Sequence, residues 1–351
     1  MKDTFTLFMD FLRTNREEIR NSLEMASDSW RRDLYGTVFR NNFISAPETE
    51  PVNGKSISST DSTEFIRELY NGKKLILIRA YTVLGKKIFP SFISEVISVS
   101  RDDLQQFTIM LMEHSEHISI LEMLREESPD YVLVDGSLTG RIFGKFKTLN
   151  ADGYREFSRK YMETLGEMLE TASKKRIPVI FMAKSSESKL FRTYLLNLLK
   201  QENPHNQYIP EEENLSASDH FLVKSMAKEA GYTVPLLQAV PRIWSDGRFP
   251  VLTTHILPRL NDLPLKVDVV FSTDGQVPDV TEGSTLPGDV LNLMFWGYGD
   301  LKTYNIWLAD VDRLVKFRNS EVENIYMRAF EREICVSFYE TRGERRARLR
   351  I

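Results

Sequence analysis

The sequence is almost without cysteine and has no long apolar run. Among its 351 residues only Cys335 is a cysteine, so the chain cannot form an internal disulfide, and no Cys/His cluster has zinc-site spacing. No stretch approaches the roughly 18–20 continuous apolar residues of a membrane helix. Charged residues interrupt the N-terminus, which argues against a signal peptide. We therefore predict a cytoplasmic protein with no membrane partner.

An excess of basic residues is also missing. The chain has 46 Lys and Arg against 50 Asp and Glu, a formal net charge of −4, which argues against a histone-like nucleic-acid binder. A nucleic-acid enzyme is still compatible with this balance, because a basic groove can coexist with an acidic metal centre. The hydrophobic content of 42% is enough for a large core and excludes a disordered chain.

Several common catalytic motifs are absent as well. The sequence contains no P-loop, no G-x-G-x-x-G after a strand, no G-x-S-x-G and no H-E-x-x-H. These absences remove most of the support for a nucleotide-driven enzyme, a dinucleotide-binding enzyme or a common hydrolase.

The order of apolar and polar segments predicts an α/β fold. An amphipathic helix over 4–26 and a Pro/Gly-containing linker over 46–55 precede a hairpin of strands, 73–84 and 87–100, that turns near Gly85. Helices and strands then alternate: helix 102–127, strand 130–138, helix 152–174, strand 177–184 and helix 187–200. Further on we predict a capped helix over 216–231, strands over 265–272, 289–297 and 333–340, and helices between 306 and 331. This pattern indicates a mixed sheet flanked by helices. We divide the chain into an N-terminal helical arm with its linker (1–50) and a second domain (51–351).

Two aspartates are placed where strands are predicted to end. Asp135 follows the apolar run YVLV and precedes Gly-Ser, so a buried strand would deliver its carboxylate to the edge where open α/β sheets bind ligands. Asp-Gly is also a common turn pair, so Asp135 equally fits a simple turn. Asp61, in ISSTDST, is predicted at the end of another short strand, and its alternative role is the N-cap of a helix over 62–70.

Glu116 is predicted to lie inside an apolar helix stripe. Positions 109, 112, 116, 120 and 123 share one face of the helix over 102–127 and read Ile, Met, Glu, Ile, Met. A carboxylate in such a stripe needs a cation or an ion pair. A salt bridge to a nearby Lys or Arg is therefore the alternative to a metal role. Glu122 lies on a mostly polar face, and Glu113 is intermediate.

Carboxylates converging from two strands and a helix have a direct chemical use. Mg²⁺ and Mn²⁺ prefer oxygen ligands, and a pair of such ions can activate water and stabilise both oxygens of an in-line phosphodiester displacement. This is the chemistry of RNase H-like nucleases, and the hairpin followed by β-α-β order fits that fold.

Several patches between residues 56 and 351 resemble the NurA nuclease family, whose members work with the hexameric HerA translocase. The patches are TDST (60–63), DYVLVDGSL (130–138), VIFMAKSS (179–186), ASDHFLV (217–223) and YNIWLADVD (304–312). The second patch is the closest match. The first lacks the family's glycine, the fourth is followed by GYTV instead of Gly-Glu-Arg-Ser, and Asp312 stands where the family commonly has histidine. An aspartate can still ligate a metal but is a poorer proton donor near neutral pH.

The resemblance implies an RNase H-like fold, a Mn²⁺ or Mg²⁺ cofactor and a set of site residues. Its metal carboxylates fall on Asp61, Glu116 and Asp135, with Tyr304 and Asp312 completing the site from the C-terminal side. Lys184 is a candidate contact to the cleaved phosphate, or an ordinary solvated lysine. Arg345, Arg346 and Arg348 are candidates for contacts to the DNA backbone, or simply a charged tail.

The same resemblance implies a function and partners. We expect a metal-dependent nuclease with single-strand endonuclease and 5′–3′ exonuclease activity in DNA end resection. The resemblance further implies a homodimer bound to a HerA-type hexameric ATPase, with DNA as the substrate. The altered motifs leave open a catalytically impaired DNA-binding or adaptor subunit, and another RNase H-like enzyme such as a resolvase is the third hypothesis.

Overall fold

The computed structural model describes residues 3–23, 29–143, 148–213, 217–241, 248–270, 286, 288–335 and 338. The strands are β1 (Phe43–Ser45), β2 (Ile57–Glu68), β3 (Lys74–Leu84), β4 (Lys87–Ile97), β5 (Tyr131–Asp135), β6 (Val179–Ala183), β7 (Gly231–Thr233), β8 (Leu236–Pro241), β9 (Arg248–Leu257) and β10 (Leu265–Val270). The helices are α1 (Thr4–Thr14), α2 (Arg16–Leu23), α3 (Ser29–Asn41), α4 (Leu104–Glu126), α5 (Leu138–Phe143), α6 (Tyr154–Lys174), α7 (Leu190–Glu202), α8 (Ile209–Glu213), α9 (Asp219–Met226), α10 (Gly288–Trp296), α11 (Ile306–Val315), α12 (Asn319–Glu321), a π-helical segment (Val322–Met327) and α13 (Arg328–Ile334).

The chain divides into two compact units. The first comprises Met1–Ala46, Ser185–Val234 and His255–Pro264, and the second comprises Pro47–Lys184, Pro235–Thr254 and Leu265–Ile351. In the first unit, β1 pairs antiparallel with β7, and β7 pairs antiparallel with the end of β9. The predicted boundary at residue 50 remains a prediction.

The second unit is built on a mixed sheet with the strand order β10-β6-β5-β2-β3-β4. Within this group, β5 pairs parallel with β2 on one side and with β6 on the other. The remaining pairs, β2 with β3, β3 with β4 and β10 with β6, are antiparallel. The structure therefore confirms the predicted α/β class with a mixed sheet flanked by helices.

Strand β3 shows how both faces of this sheet are covered. Ile76 and Ile78 pack in a cluster with residues of α4 and α6. Leu75 and Leu77, which point the other way because side chains alternate along a strand, pack with residues of the π-helical segment. We call these two surfaces the α4 face and the C-terminal face. Because both are buried, the strand reads as the nearly continuous apolar run KLILIRAYTVL.

The predicted helix over 62–70 is wrong. Strand β2 continues to Glu68 and pairs with β3 at every position from Ser58↔Leu84 to Glu68↔Lys74. Asp61 therefore lies in the middle of a strand, neither at its end nor at a helix N-cap. The long-range ladder with β3 outweighs the local capping signal of Asp-Ser-Thr, which only a short-range reading of the sequence favours.

Of two other predicted strands, the one over 289–297 is wrong, and the one over 333–340 is wrong in its first residues. Residues 289–297 belong largely to helix α10. Its side chains Val290, Leu291, Leu293 and Met294 are buried, and periodicity alone cannot assign so short an apolar run to a helix or a strand. In the segment 333–340, Glu333 and Ile334 complete helix α13. Phe338 forms an isolated bridge with Leu69, and the rest of that segment after Cys335 lies outside the described residues.

The N-terminal helix and the helix predicted over 216–231 are shorter than expected. Asn15 separates α1 from α2 and donates its side-chain amide to Phe11 O at 2.8 Å. Helix α9 begins after the Ser218 cap but ends at Met226. Gly231 instead opens β7, where a Cβ atom would lie 2.3 Å from Ile44 O. The hairpin at Gly85, with φ +59°, is confirmed. None of the described helices is long and apolar enough to cross a bilayer.

Candidate functional site

Asp61 and Asp135 occupy neighbouring positions on adjacent parallel strands. The last paired residues of β2 and β5 are Thr60 and Val134, so the two aspartates are the next residues in register, with strands about 4.8 Å apart. Val134 packs in the core with residues of α4 and α6, and Thr60 Oγ1 lies 2.8 Å from Thr82 Oγ1, which binds Ser119 of α4. Because side chains alternate, Asp61 and Asp135 both point to the C-terminal face.

The environment of Asp61 is strongly acidic. Burial, reinforced by the charges of Glu116, Asp135 and Asp312, raises the pKa of Asp61 to about 8. The hydrogen bond that the Ser62 amide donates to Asp61 Oδ1 at 2.8 Å acts in the opposite direction. These carboxylates are therefore close enough to repel one another, an arrangement that a bound cation would relieve.

Glu116 reaches the site from the α4 face and is already paired. Its side chain is almost fully buried and accepts hydrogen bonds from Ser62 Oγ and Arg141 Nη2, each at 2.5 Å. Burial raises the pKa of Glu116, and the Arg141 charge opposes that rise. The salt bridge considered as the alternative for Glu116 is thus present. The two other glutamates of α4 that the sequence analysis considered are also engaged: Glu113 accepts from Tyr161 Oη at 2.7 Å and Glu122 pairs with Arg125.

Arg141 holds several residues of the site together, and no sequence pattern indicates this role. Besides Glu116, its Nη2 atom donates to the main-chain oxygen of Asp135 at 2.6 Å, and Nη1 lies 3.1 Å from His117 Nε2. The only available signal was the expected need of Glu116 for a basic partner. Arg141 links the helix carboxylate to the strand that carries Asp135.

Tyr304 enters from the segment before α11. The next residue, Asn305, caps that helix by accepting from Leu308 N at 3.2 Å, which fixes where Tyr304 lies. The Tyr304 side chain is buried, and its hydroxyl makes no hydrogen bond of good geometry to the described residues. Burial, followed by the charges of Asp135, Asp61 and Asp312, raises the pKa of this hydroxyl far above its usual value. Tyr304 therefore stays protonated.

Asp312 and Lys184 border the same group of residues. Asp312 lies on α11, one turn before Lys316, whose Nζ is 2.6 Å from Asp312 Oδ2. Lys184 directly follows β6; its Nζ lies 3.6 Å from Asp135 Oδ2 and 4.2 Å from the centre of the Tyr304 ring. The structure thus places Asp61, Asp135, Tyr304, Asp312 and Lys184 near one another. Arg345, Arg346 and Arg348 lie outside the described residues.

These oxygen donors suit a hard divalent cation, although they do not form a complete coordination shell. Within the described part of the chain, no three His, Cys, Asp or Glu side chains form a ready-made metal cluster. Asp61 and Asp135 present carboxylate oxygens on one face, whereas Arg141 and Ser62 occupy the Glu116 oxygens. Oxygen donors with unbalanced negative charge are what Mg²⁺ and Mn²⁺ bind. A cation here would be held first by Asp61 and Asp135.

Comparison with known families and proteins gives one family match. A family model for the NurA domain matches residues 55–272. No curated protein matches the sequence.

Solved structures share the fold at low sequence identity. The NurA nuclease from Sulfolobus solfataricus is 13% identical, with a TM-score of 0.63 over 97% of this chain and 100% of that chain. A crystal structure of NurA bound to dAMP and manganese is 13% identical, with a TM-score of 0.56 over 95% of this chain and 98% of that one. A structure of NurA with manganese is 12% identical, with a TM-score of 0.51 over 94% and 98% of the two chains. The fold is therefore RNase H-like, as the sequence predicted.

Proposed function

Because the chain belongs to the NurA family, we propose that it is a divalent-metal-dependent deoxyribonuclease. The observation that carries this proposal is the placement of Asp61 and Asp135 side by side on adjacent parallel strands, in an acidic environment that raises the pKa of Asp61 to about 8. Carboxylates that repel one another in this way are suited to holding a cation against a phosphodiester.

Asp61 and Asp135 would hold Mn²⁺ or Mg²⁺, with Asp312 as a further oxygen donor. When bound, such ions lower the pKa of a coordinated water and offset charge on the phosphate. Glu116 joins this set only if its ion pair with Arg141 opens.

Two other side chains act on the substrate without a metal. Lys184, with 54% of its side chain exposed, would bind a phosphate oxygen as a point charge. Tyr304 keeps its proton because its pKa is raised, so it can donate a hydrogen bond to the phosphate or the leaving oxygen.

The finer activity and the partners are proposed from the family resemblance. We infer single-strand endonuclease and 5′–3′ exonuclease activity in DNA end resection, by a two-metal mechanism in the cytoplasm. One similar structure is described as bound to dAMP and manganese, which agrees with a DNA substrate and a manganese cofactor. We also infer a homodimer bound to a HerA-type hexameric ATPase; the sequence has no P-loop of its own, which agrees with a separate motor.

Cleavage of end-labelled DNA tests the catalytic proposal. We expect cleavage with Mn²⁺ or Mg²⁺, none with a chelator, and a loss of at least about 100-fold in Asp61→Asn and Asp135→Asn. Glu64→Gln, exposed on the same strand as Asp61, and Asp310→Asn, exposed on α11, are matched controls that should retain activity. Wild-type activity in Asp135→Asn would contradict the proposal.

Polarity and assembly need separate measurements. Single- and double-stranded DNA labelled at either the 5′ or the 3′ end distinguishes the direction of digestion. Light scattering gives the oligomeric state. Co-purification with a HerA-type ATPase, followed by ATPase and cleavage assays of the complex, tests the partnership.

A catalytically impaired DNA-binding subunit is the second candidate function. It is favoured by the ion pairs that occupy Glu116 and Asp312, which bind Arg141 and Lys316. A chain that binds DNA, stimulates the ATPase and cleaves no DNA with any divalent cation would establish this role in place of the nuclease.

A further inference from the structure

A buried ion pair lies on β10, on the α4 face of the sheet. Lys266 and Asp268 are 1% and 0% exposed, and Lys266 Nζ lies 2.9 Å from Asp268 Oδ2. Val270, which is four residues after Lys266 and two after Asp268, packs with Val132 and Val134 in the core. Because strand side chains alternate, Lys266 and Asp268 point to that same face, opposite to the carboxylates of Asp61 and Asp135. Two charges withdrawn from water are a weak source of stability, so the role of this pair is better sought in its contacts to other segments.

Lys266 and Asp268 both form hydrogen bonds with the segment that follows Asp135. Lys266 Nζ donates to Ser137 Oγ at 2.9 Å and to Thr139 Oγ1 at 2.5 Å. Asp268 Oδ2 accepts from Ser137 Oγ at 3.0 Å and from the Leu138 amide at 3.1 Å. Every residue from 137 to 139 is therefore bound to the pair.

Asp135 leads directly into this segment. It is the last residue of β5, and Gly136, with φ +95°, turns the chain immediately after it. The Gly136 amide donates to Met182 O at 2.7 Å, which holds the near end of the turn. The far end, Ser137 to Thr139, is held by Lys266 and Asp268, and Thr253 Oγ1 in turn donates to Asp268 Oδ1 at 2.6 Å.

We propose that Lys266 and Asp268 are positioning residues, which hold the 136–139 turn so that the Asp135 carboxylate stays beside Asp61. This inference rests on the proposed nuclease function. Neither residue touches DNA or the cation; they act through the turn, as the outer partners of metal-binding residues do in other sites.

Two double variants separate positioning from simple stabilisation. Removing one partner would leave an unpaired buried charge and unfold the protein for an unrelated reason, so both partners are changed together. Lys266→Met/Asp268→Asn removes the charges but leaves an acceptor for the Leu138 amide. Lys266→Met/Asp268→Leu removes every contact to the turn.

The readouts are Mn²⁺ affinity without DNA, from the electron paramagnetic resonance signal of free Mn²⁺, together with kcat, KM and Tm. We expect Mn²⁺ affinity and kcat to fall by about 10–100-fold in the Leu-containing variant and by less in the Asn-containing one. KM for DNA should stay within about twofold, since the DNA-contacting groups are untouched. Arg192→Met/Glu212→Gln is the matched control, because it neutralises a buried ion pair that belongs to the first unit.

The outcomes are distinct. Wild-type Mn²⁺ affinity and kcat in both double variants would overturn the positioning role and leave the nuclease proposal intact. A wild-type protein that binds no Mn²⁺ and cleaves no DNA would overturn both. If the double variants do not fold, Thr139→Val decides: it removes one acceptor of Lys266 at nearly constant volume, and unchanged Mn²⁺ affinity and kcat there would also overturn the inference.

Discussion

Nη2 of Arg141 lies 2.5 Å from Oε2 of Glu116, and the two side chains are only 3% and 6% exposed. A buried pair of this kind adds little net stability when it is intact, but removing one partner leaves the other charge without compensation. Arg141 therefore determines whether Glu116 can stay ionised inside the protein.

The first prediction concerns this pair. Arg141→Met should lower the free energy of unfolding by about 3–5 kcal/mol, because Glu116 is left buried and unpaired. Arg141→Met/Glu116→Gln should recover most of that loss, as measured by urea unfolding of the single and double variants. If the effects of the two substitutions simply add, the two side chains are not energetically coupled.

The second prediction concerns the stability cost of Asp61. A carboxyl whose pKa is raised to about 8 in the folded protein destabilises the fold increasingly as pH rises above about 4, because the unfolded chain ionises it freely. Asp61→Asn should therefore raise the free energy of unfolding of the metal-free protein at pH 8 by about 1–2 kcal/mol, a figure discounted for partial exposure.

Addition of Mn²⁺ should reverse the order of these two proteins. Binding to the folded state alone raises Tm with cation concentration, so scanning calorimetry should show a Mn²⁺-dependent rise for wild type and little for Asp61→Asn. Glu64→Gln should respond as wild type does. Equal Tm rises in wild type and Asp61→Asn would place the cation elsewhere.

The third prediction concerns Asp312, where the family resemblance leads one to expect histidine. Its pairing with Lys316 is a partly exposed i,i+4 contact, so Asp312→His should change the free energy of unfolding by no more than about 0.5 kcal/mol. The pH profile of kcat should gain an ionisation near a pKa of about 6.5. Asp310→His, on the exposed side of α11, should leave the profile unchanged; the same change in both variants would argue against a role for position 312.

The fourth prediction concerns His114, which packs against Phe157 and Tyr161. Burial, with a smaller contribution from Lys160, lowers the pKa of His114 to about 4. Between pH 6.5 and pH 4 the unfolded chain takes up a proton that the folded protein does not. Stability from this group is therefore complete above about pH 6.5 and falls by about 2–3 kcal/mol as pH drops to 4.

His114→Leu should remove that component of the pH dependence. Unfolding free energies of both proteins at pH 7, 6, 5 and 4 provide the measurement, with the carboxylates contributing equally to each. The difference between the variant and wild type should grow steadily in favour of the variant as pH falls. A constant difference would show that His114 does not carry the predicted protonation.

The sequence identified the carboxylates of this site more readily than their surroundings. Asp135 was recognisable because an apolar run leads directly into it and a glycine follows. The local pattern around Asp61 is misleading, since its strand continues to Glu68 through pairing with β3. Such pairing depends on residues distant in the chain, and the short stretch Ser-Thr-Asp-Ser-Thr does not encode it.

Sequence patterns do not identify the residues that pair with the buried charged side chains. The apolar stripe of α4 indicates that Glu116 needs a compensating charge, but Arg141 reaches it from helix α5, 25 residues further along the chain. Lys266 and Asp268 belong to the segment LKVDVV, whose alternating polar residues suggest a strand with one solvent-exposed face. Both side chains are nevertheless buried. Only the packing of the α4 face shows that these charges satisfy each other and the turn after Asp135.

Asp61 directly follows the stretch of β2 that is paired on both sides, with β3 and with β5, and it is itself paired with Tyr81 of β3. Inserting or deleting a single residue between Ile57 and Asp61 would carry the carboxylate across to the other side of the sheet, because strand side chains alternate. Length changes in the connecting loops have no such effect. The first half of β2 therefore has a residue count that cannot change without moving this carboxylate away from Asp135.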